Sequence, residues 1–233
     1  MKIEPPFVRA TLLKRYKRFL ADVRFEDGTE TTAHCANPGS MMGLADPGST
    51  IWLSRSDNPK RKLAWSWELV EVGGARVGIN TARPNALVAE AIGGGRIPEL
   101  AGYETLRREV KYGQNSRIDL LLESPDRPST YVEIKSVTLS RESGLAEFPD
   151  ARTARGAKHM AELAEMAQIG HRAVVFFLVQ RTDCDRFAPA ADIDPAYARS
   201  LATAVSAGVE VLCYSCRIDP DLIEIDRALE TAM

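Results

Sequence analysis

The residues of this chain whose types and spacing could do chemistry together are Asp119, Glu133 and Lys135, in the stretch RIDLLLESPDRPSTYVEIKSV. Side chains of a strand alternate between faces, so Glu133 and Lys135 share one face while Val132, Ile134 and Ser136 take the other. A turn centred near Asp126 and Arg127 would bring Asp119 opposite the Ile134 region and set its carboxylate beside that of Glu133. Two adjacent carboxylates repel unless a cation lies between them, and a hard, oxygen-seeking ion such as Mg²⁺ (or Mn²⁺) suits that arrangement. With a lysine alongside to hold water or stabilise charge, the set meets the needs of metal-assisted phosphodiester hydrolysis. Asp119, Glu133 and Lys135 are the expected catalytic groups. Asp119 and Glu133 are the expected metal ligands, with Glu90 on a preceding helix as a further one. An ExK triplet alone is ordinarily an exposed strand face with an ion pair. The apolar neighbours Ile118, Leu120, Leu121, Tyr131, Val132 and Val137 set this one apart.

The elements that must position these groups come in two sets. From Phe7 to about Asn80 the chain reads as short strands (FVRATLL, FLADVRF, TETTAHC, STIWLS, WSWELVEV, ARVGIN) with turns at Asp27-Gly28 and Gly73-Gly74. About five strands without a helix predict a small β-barrel. Near Asn80 the character changes, because Pro84 opens NALVAEAI, and the trailing Gly93-Gly94-Gly95 predicts a short helix with a glycine stop. A division into residues 1–80 and 81–233 follows. Beyond it, REVKY, IDLLLE and YVEIKSVTL read as strands, Asp150 to Gln168 as a helix, and AVVFFLV as a buried strand. A helix from about Pro195 to Ala207 and a strand VEVLCYSC complete a mixed α/β sheet covered by helices.

Over 233 residues, 45% hydrophobic and 27% charged content is ordinary for a globular protein. No run of about 18 apolar residues and no signal layout at the start predict a soluble protein outside any membrane. Four cysteines (Cys35, Cys184, Cys213, Cys216) make no disulfide framework in a chain of this length, so a cytoplasmic setting is expected. The net charge of −2 is unevenly spread: ten acidic residues and four arginines from Asp183 onward carry −6, leaving +4 on the first 182 residues. Lys14, Arg15, Lys17 and Arg18 interleave with Tyr16 and Phe19, the pattern of a surface that tracks a phosphate backbone and stacks bases. Lys60, Arg61 and Lys62, followed by Trp65 and Trp67, form a second cluster, and Arg152, Arg155 and Lys158 a third along one helix face. DNA is therefore the expected partner. His159 reads as a surface or capped histidine. Cys213-Tyr-Ser-Cys216 reads as structural cysteines, since no second pair completes a zinc site.

The D…ExK hairpin followed by helix and strand resembles the PD-(D/E)xK nuclease superfamily, with Asp119, Glu133 and Lys135 on the motif positions and Ile118 where the motif has its proline. Across nearly the whole chain, RATLLKRYKRFLADV, HCANPGSM, SDNPKRK, EVKYG, SRIDLLL, EIKSVTL and FPDARTARGAKH resemble the sugar fermentation stimulation protein A (SfsA) family. That resemblance implies an N-terminal OB-fold β-barrel followed by a restriction-endonuclease-like (PD-(D/E)xK) mixed α/β domain. It also implies DNA binding and a link to regulation of sugar (maltose) utilisation genes, but no settled enzymatic activity. Two readings follow: a metal-dependent DNA nuclease, and a non-catalytic DNA-binding transcriptional regulator that keeps the fold. Paired carboxylates would repel phosphate in a pure binding module, which favours the first. An enzyme acting on small sugars ranks last, since no other paired carboxylates stand out.

Overall fold

Alternation of apolar and polar residues in the first part of the chain builds β1 (Val8–Tyr16), β2 (Leu20–Arg24), β3 (Glu30–Cys35), β4 (Thr50–Arg55), β5 (Trp65–Val72) and β6 (Ala75–Gly78). The computed structural model describes residues 1–113 and 116–232. Strand order is β3-β2-β1-β4-β5-β6, and pairing of β3 with β5 through His34–Ser66 and Cys35–Trp67 closes β1 to β5 into a barrel. Inward positions such as Leu12, Val23, Ile51, Leu53 and Trp67 fill its interior, and Met41 and Leu44 pack into the same cluster.

The chain then forms α1 (Pro84–Gly93), β7 (Thr105–Tyr112), β8 (Ser116–Ser124), β9 (Arg127–Val137), β10 (Leu139–Glu142), β11 (Gly144–Phe148) and α2 (Ala154–Gln168). It continues through β12 (Arg172–Val179), β13 (Cys184–Pro189), α3 (Pro195–Ser206), β14 (Glu210–Asp219), β15 (Leu222–Ala228) and β16 (Glu230–Thr231). The main sheet runs β15-β14-β12-β9-β8-β7, with β12 parallel to both β9 and β14. Strand β12 shows why its sequence is apolar throughout. Val174, Phe176 and Leu178 enter the cluster that holds Leu87, Val88 and Ala91 of α1, while Val175, Phe177 and Val179 enter the one with Met160 and Leu163 of α2.

The five strands β10, β11, β13, β15 and β16 depart from the sequence expectation. The short, charged β10 and β13 (LSRE, CDRFAP) carry little period-2 signal and owe their strand form to neighbouring edges, whereas β15 (LIEIDRA) alternates, burying Ile223 and Ile225, and pairs with β14. Helix α2 starts at Ala154 rather than Asp150, because Thr153 caps it by accepting from Gly156 N at 3.0 Å, and Asp150 is engaged with the barrel. The two halves share a core: Ile3, Phe7, Trp52 and Leu69 pack with Leu120, Val132 and Phe176. The first residues pair with the turn between β14 and β15, with Ile3 N donating to Asp221 O and Phe7 N to Pro220 O.

Candidate functional site

Leu120 pairs with Val132 across the β8–β9 hairpin, and Ser124 pairs with Arg127, so the turn lies at Pro125-Asp126, one residue before its expected centre. Beyond Leu120 the backbone ladder opens. There the Asp119 side chain takes over, with Oδ2 accepting from Ile134 N at 2.7 Å and Oδ1 from Asn85 Nδ2 at 2.8 Å. Glu133 and Lys135 project together toward α2, as strand alternation requires. Lys135 Nζ donates to Glu133 Oε1 at 2.8 Å, and His159 Nδ1 of α2 bonds to the same oxygen. Glu133, Lys135 and His159 are 3%, 9% and 6% exposed, so this is a buried charged cluster and not an exposed edge face. Glu133 Oε2 is buried with no hydrogen-bond partner, as are the Tyr112 and Tyr197 hydroxyls and both Glu162 carboxyl oxygens.

Burial, and after it the charge of Glu133, raises the Asp119 carboxyl to about 6. Burial also works to raise Glu133, but the bonds from His159 and Lys135 outweigh it and hold that carboxyl below the ordinary value. Burial and then Glu133 push the Tyr112 and Tyr197 phenols up, so both stay protonated. For Asp119 the sign is clear. Its folded pKa lies above the ordinary 3.8, so the stability it contributes is full below about pH 4 and is lost as pH rises through about 6. Relative to Asp119→Asn, the metal-free wild type should lose about 1–2 kcal/mol of unfolding free energy from pH 4 to 7, a figure discounted for partial exposure. Urea titrations of both proteins at each pH measure this, and a difference flat with pH would contradict the raised carboxyl.

The cluster forms the floor of a cavity of about 290 Å³ lined by Asn85, Asp119, Glu133, Lys135, Thr153, Arg155, Gly156 and His159. A second cavity of about 370 Å³ shares Thr81, Lys135, Ser136 and Thr153 with it and continues to Asn37, Pro38, Gly39 and Arg152. The barrel thus contributes one wall. Its HCANPGSM loop is fastened there: Ser40 Oγ and Met41 N donate to Asp150 Oδ2, both at 3.1 Å, and Asn37 Nδ2 donates to Ile79 O at 2.9 Å. A Cβ on Gly39 would stand 2.7 Å from Asp150 Oδ2, so a side chain there would push the Asp150 carboxylate off the loop.

The basic segments fall into different uses. Arg15 braces the barrel loop by donating to the carbonyls of Asn37, Gly39 and Ser40, and Tyr16 donates to Asp22, so neither reaches outward as the pattern suggested. Lys17 and Arg18 are exposed at the β1–β2 hairpin tip beside Phe19, whose ring stacks on His34 at 6.5 Å, and exposed Lys14 lies farther back along β1. His34 pairs with Ser66, and Arg61 donates to Ser66 Oγ at 2.9 Å, so the exposed Lys60, Arg61 and Lys62 segment emerges next to that tip. Arg152 and Arg155 are exposed at the start of α2 and line the trough, with exposed Lys158 one turn on and 3.5 Å from Glu162.

Two expectations are corrected here. Glu90 is not brought to the site. It lies five residues after Asn85, about 140° around the helix, and its carboxylate pairs with the N-terminal amine of Met1 at 2.6 Å. His159 is buried against Glu133, not surface-exposed, because α2 turns that face to the sheet. Sequence reasoning misses Asn85 and Glu109, although Asn85 Nδ2 bridges Glu109 and Asp119 at 3.1 and 2.8 Å. Nothing in their spacing signals this. Cys213 and Cys216 enter opposite core clusters, as an odd separation in a strand demands, so they share no metal. Burial pushes the Cys213 thiol up to about 12 and raises Cys216 as well.

Residues 13–79 match the family model described as the SfsA N-terminal OB domain, and residues 82–222 that of the sugar fermentation stimulation protein RE domain. The chain is 60% identical over 229 residues to a sugar fermentation stimulation protein homolog of Paramagnetospirillum magneticum, spanning 98% of this chain and 97% of the relative. Its counterpart in Rhodospirillum centenum is 62% identical over 229 residues, spanning 98% of each. Among solved structures, Pyrococcus furiosus SfsA in complex with Ca²⁺ superposes with a TM-score of 0.91 at 27% identity, covering 100% of this chain and 98% of that one.

Proposed function

The chain belongs to the sugar fermentation stimulation protein (SfsA) family, and from that premise we propose that it is a cytoplasmic DNA-binding protein whose second domain is a Mg²⁺- or Mn²⁺-dependent nuclease. One observation carries the nuclease reading: Glu133 Oε1 receives two donors while Oε2 is buried with none, beside a second carboxylate. A buried anionic oxygen without a partner costs about 1–3 kcal/mol or more, and a cation satisfies it. Among the described residues no three His, Cys, Asp or Glu side chains converge as a ligand set. Two carboxylates suit Mg²⁺, which keeps several waters and takes the rest of its shell from phosphate. Ca²⁺, with which the P. furiosus relative was solved, is a hard cation with the same preference for oxygen.

Asp119 and Glu133 would hold the ion, which when bound would supply Lewis-acid polarisation of a phosphodiester and an activated water. The chain's own groups do the rest. Asn85 and Ile134 N fix the Asp119 carboxylate, and Lys135 keeps an ammonium beside the reacting phosphate to stabilise developing charge. Thr153 and Arg155 set the positive end of α2 and an exposed guanidinium along the trough, where phosphate oxygens are drawn. The exposed basic tip and the Lys60–Lys62 segment extend this path onto the barrel. All four cysteines are free and buried, which suits a reducing cytoplasm.

The second reading, a non-catalytic regulator of sugar (maltose) utilisation genes, draws on that basic barrel surface, which needs no carboxylates to bind DNA. Labelled single-stranded, duplex and branched DNAs incubated with Mg²⁺ or Mn²⁺ separate the two. The nuclease reading expects cutting by wild type and loss of about 10²-fold or more in Lys135→Ala. Salt-sensitive binding without cutting, unchanged in that variant, would leave the regulator reading standing.

A further inference from the structure

We infer that His159 is a positioning residue for the metal-binding carboxylate, held in one tautomer by Arg155, so that Glu133 presents Oε2 to the cation and keeps Oε1 for its own fold. The inference rests on the reading of Asp119 and Glu133 as a metal site. Arg155 stands one turn before His159 on α2, and its Nε donates to His159 Nε2 at 3.2 Å. A guanidinium N–H is always a donor. Nε2 must therefore accept, and it accepts only when it carries no proton. The ring proton then sits on Nδ1, the atom bonded to Glu133 Oε1.

The consequence is geometric. Lys135 Nζ approaches the same Oε1 at 2.8 Å, so two donors from two elements, β9 and α2, pin one oxygen. A carboxylate held this way cannot rotate to exchange its oxygens, and Oε2 remains the one without a partner. His159 is 6% exposed and packs beside Met160 and Leu163, which seat α2 on the sheet, whereas Arg155 is exposed on the trough wall. The donor chain thus runs from the phosphate-facing surface to the buried ligand. Such orienting partners typically change metal affinity or activity by about 10–100-fold when removed.

Long-range ¹H–¹⁵N correlation on the metal-free, histidine-labelled full chain reads the tautomer directly. The expected spectrum shows His159 with protonated Nδ1 and bare Nε2, and a proton on Nε2 would overturn the inference whatever metal does. Calorimetric titration with Mn²⁺ tests the consequence. His159→Ala should weaken binding by about 10–100-fold. His159→Asn, whose amide nitrogen lies where Nδ1 lies, should keep affinity near wild type, while His159→Gln, which reaches the Nε2 position instead, should fall with alanine. Should the alanine variant not fold, the Asn and Gln pair carries the comparison. Equal affinity of Asn and Gln, or wild-type affinity in alanine, would overturn the positioning role. Absence of Mn²⁺ binding by the wild type would instead overturn the metal reading and, with it, the role given to His159.

Discussion

Glu133→Gln is expected to lower Mg²⁺- or Mn²⁺-dependent cleavage of labelled DNA by about 10³-fold or more, equal to about 4 kcal/mol of transition-state stabilisation. The substitution keeps the shape of the side chain and one oxygen for Lys135 and His159, but removes the negative charge that a cation at Oε2 needs. It also leaves the buried Lys135 ammonium with a weaker partner, so a loss of about 1–3 kcal/mol in stability should accompany the loss of activity. Circular dichroism and urea unfolding of the variant separate the two effects. A folded Glu133→Gln protein that cuts at the wild-type rate would end the nuclease reading. Its Mn²⁺ affinity should fall in parallel with cleavage.

Phe177→Ala is expected to cost about 3–5 kcal/mol of unfolding free energy, a large share of the roughly 5–15 kcal/mol that holds a domain together. Its ring is fully buried on β12, with centroids 4.3 Å from Phe187 and 5.8 Å from Phe148, in the cluster that also receives α2. Removing it opens a cavity behind Lys135, whose partner across β9–β12 is Phe177 itself. The urea midpoint should drop with little change in slope. A cost under about 1 kcal/mol would mean that Phe148 and Phe187 repack into the gap, against the stacking seen here. Because α2 rests on this cluster, site chemistry should weaken along with stability in the variant.

Much of the site was legible in the chain because alternation in a strand is local. Glu133 and Lys135 must share a face wherever the strand is placed, and a tight turn brings Asp119 back beside them. The barrel was legible for the same reason, and β12 because a strand buried on both faces must be apolar throughout. The short charged strands β10, β13 and β16 were not, since their form comes from an adjacent edge more than from their own residues.

By itself, then, the sequence determined which residues could work together within one hairpin, where the strongly patterned strands run, and which family pattern they match. Tertiary structure alone decided what reaches that hairpin from elsewhere. A helix has a fixed periodicity but no fixed rotation against a sheet. Packing of Met160 and Leu163 turned His159 inward to Glu133, and packing of Leu87, Val88 and Ala91 left Asn85 at the site and sent Glu90 to the N-terminus. The Asn37–Met41 loop joined the trough because Asp150, more than a hundred residues away, accepts its donors. Such contacts are set by whole surfaces meeting, and no local spacing encodes them.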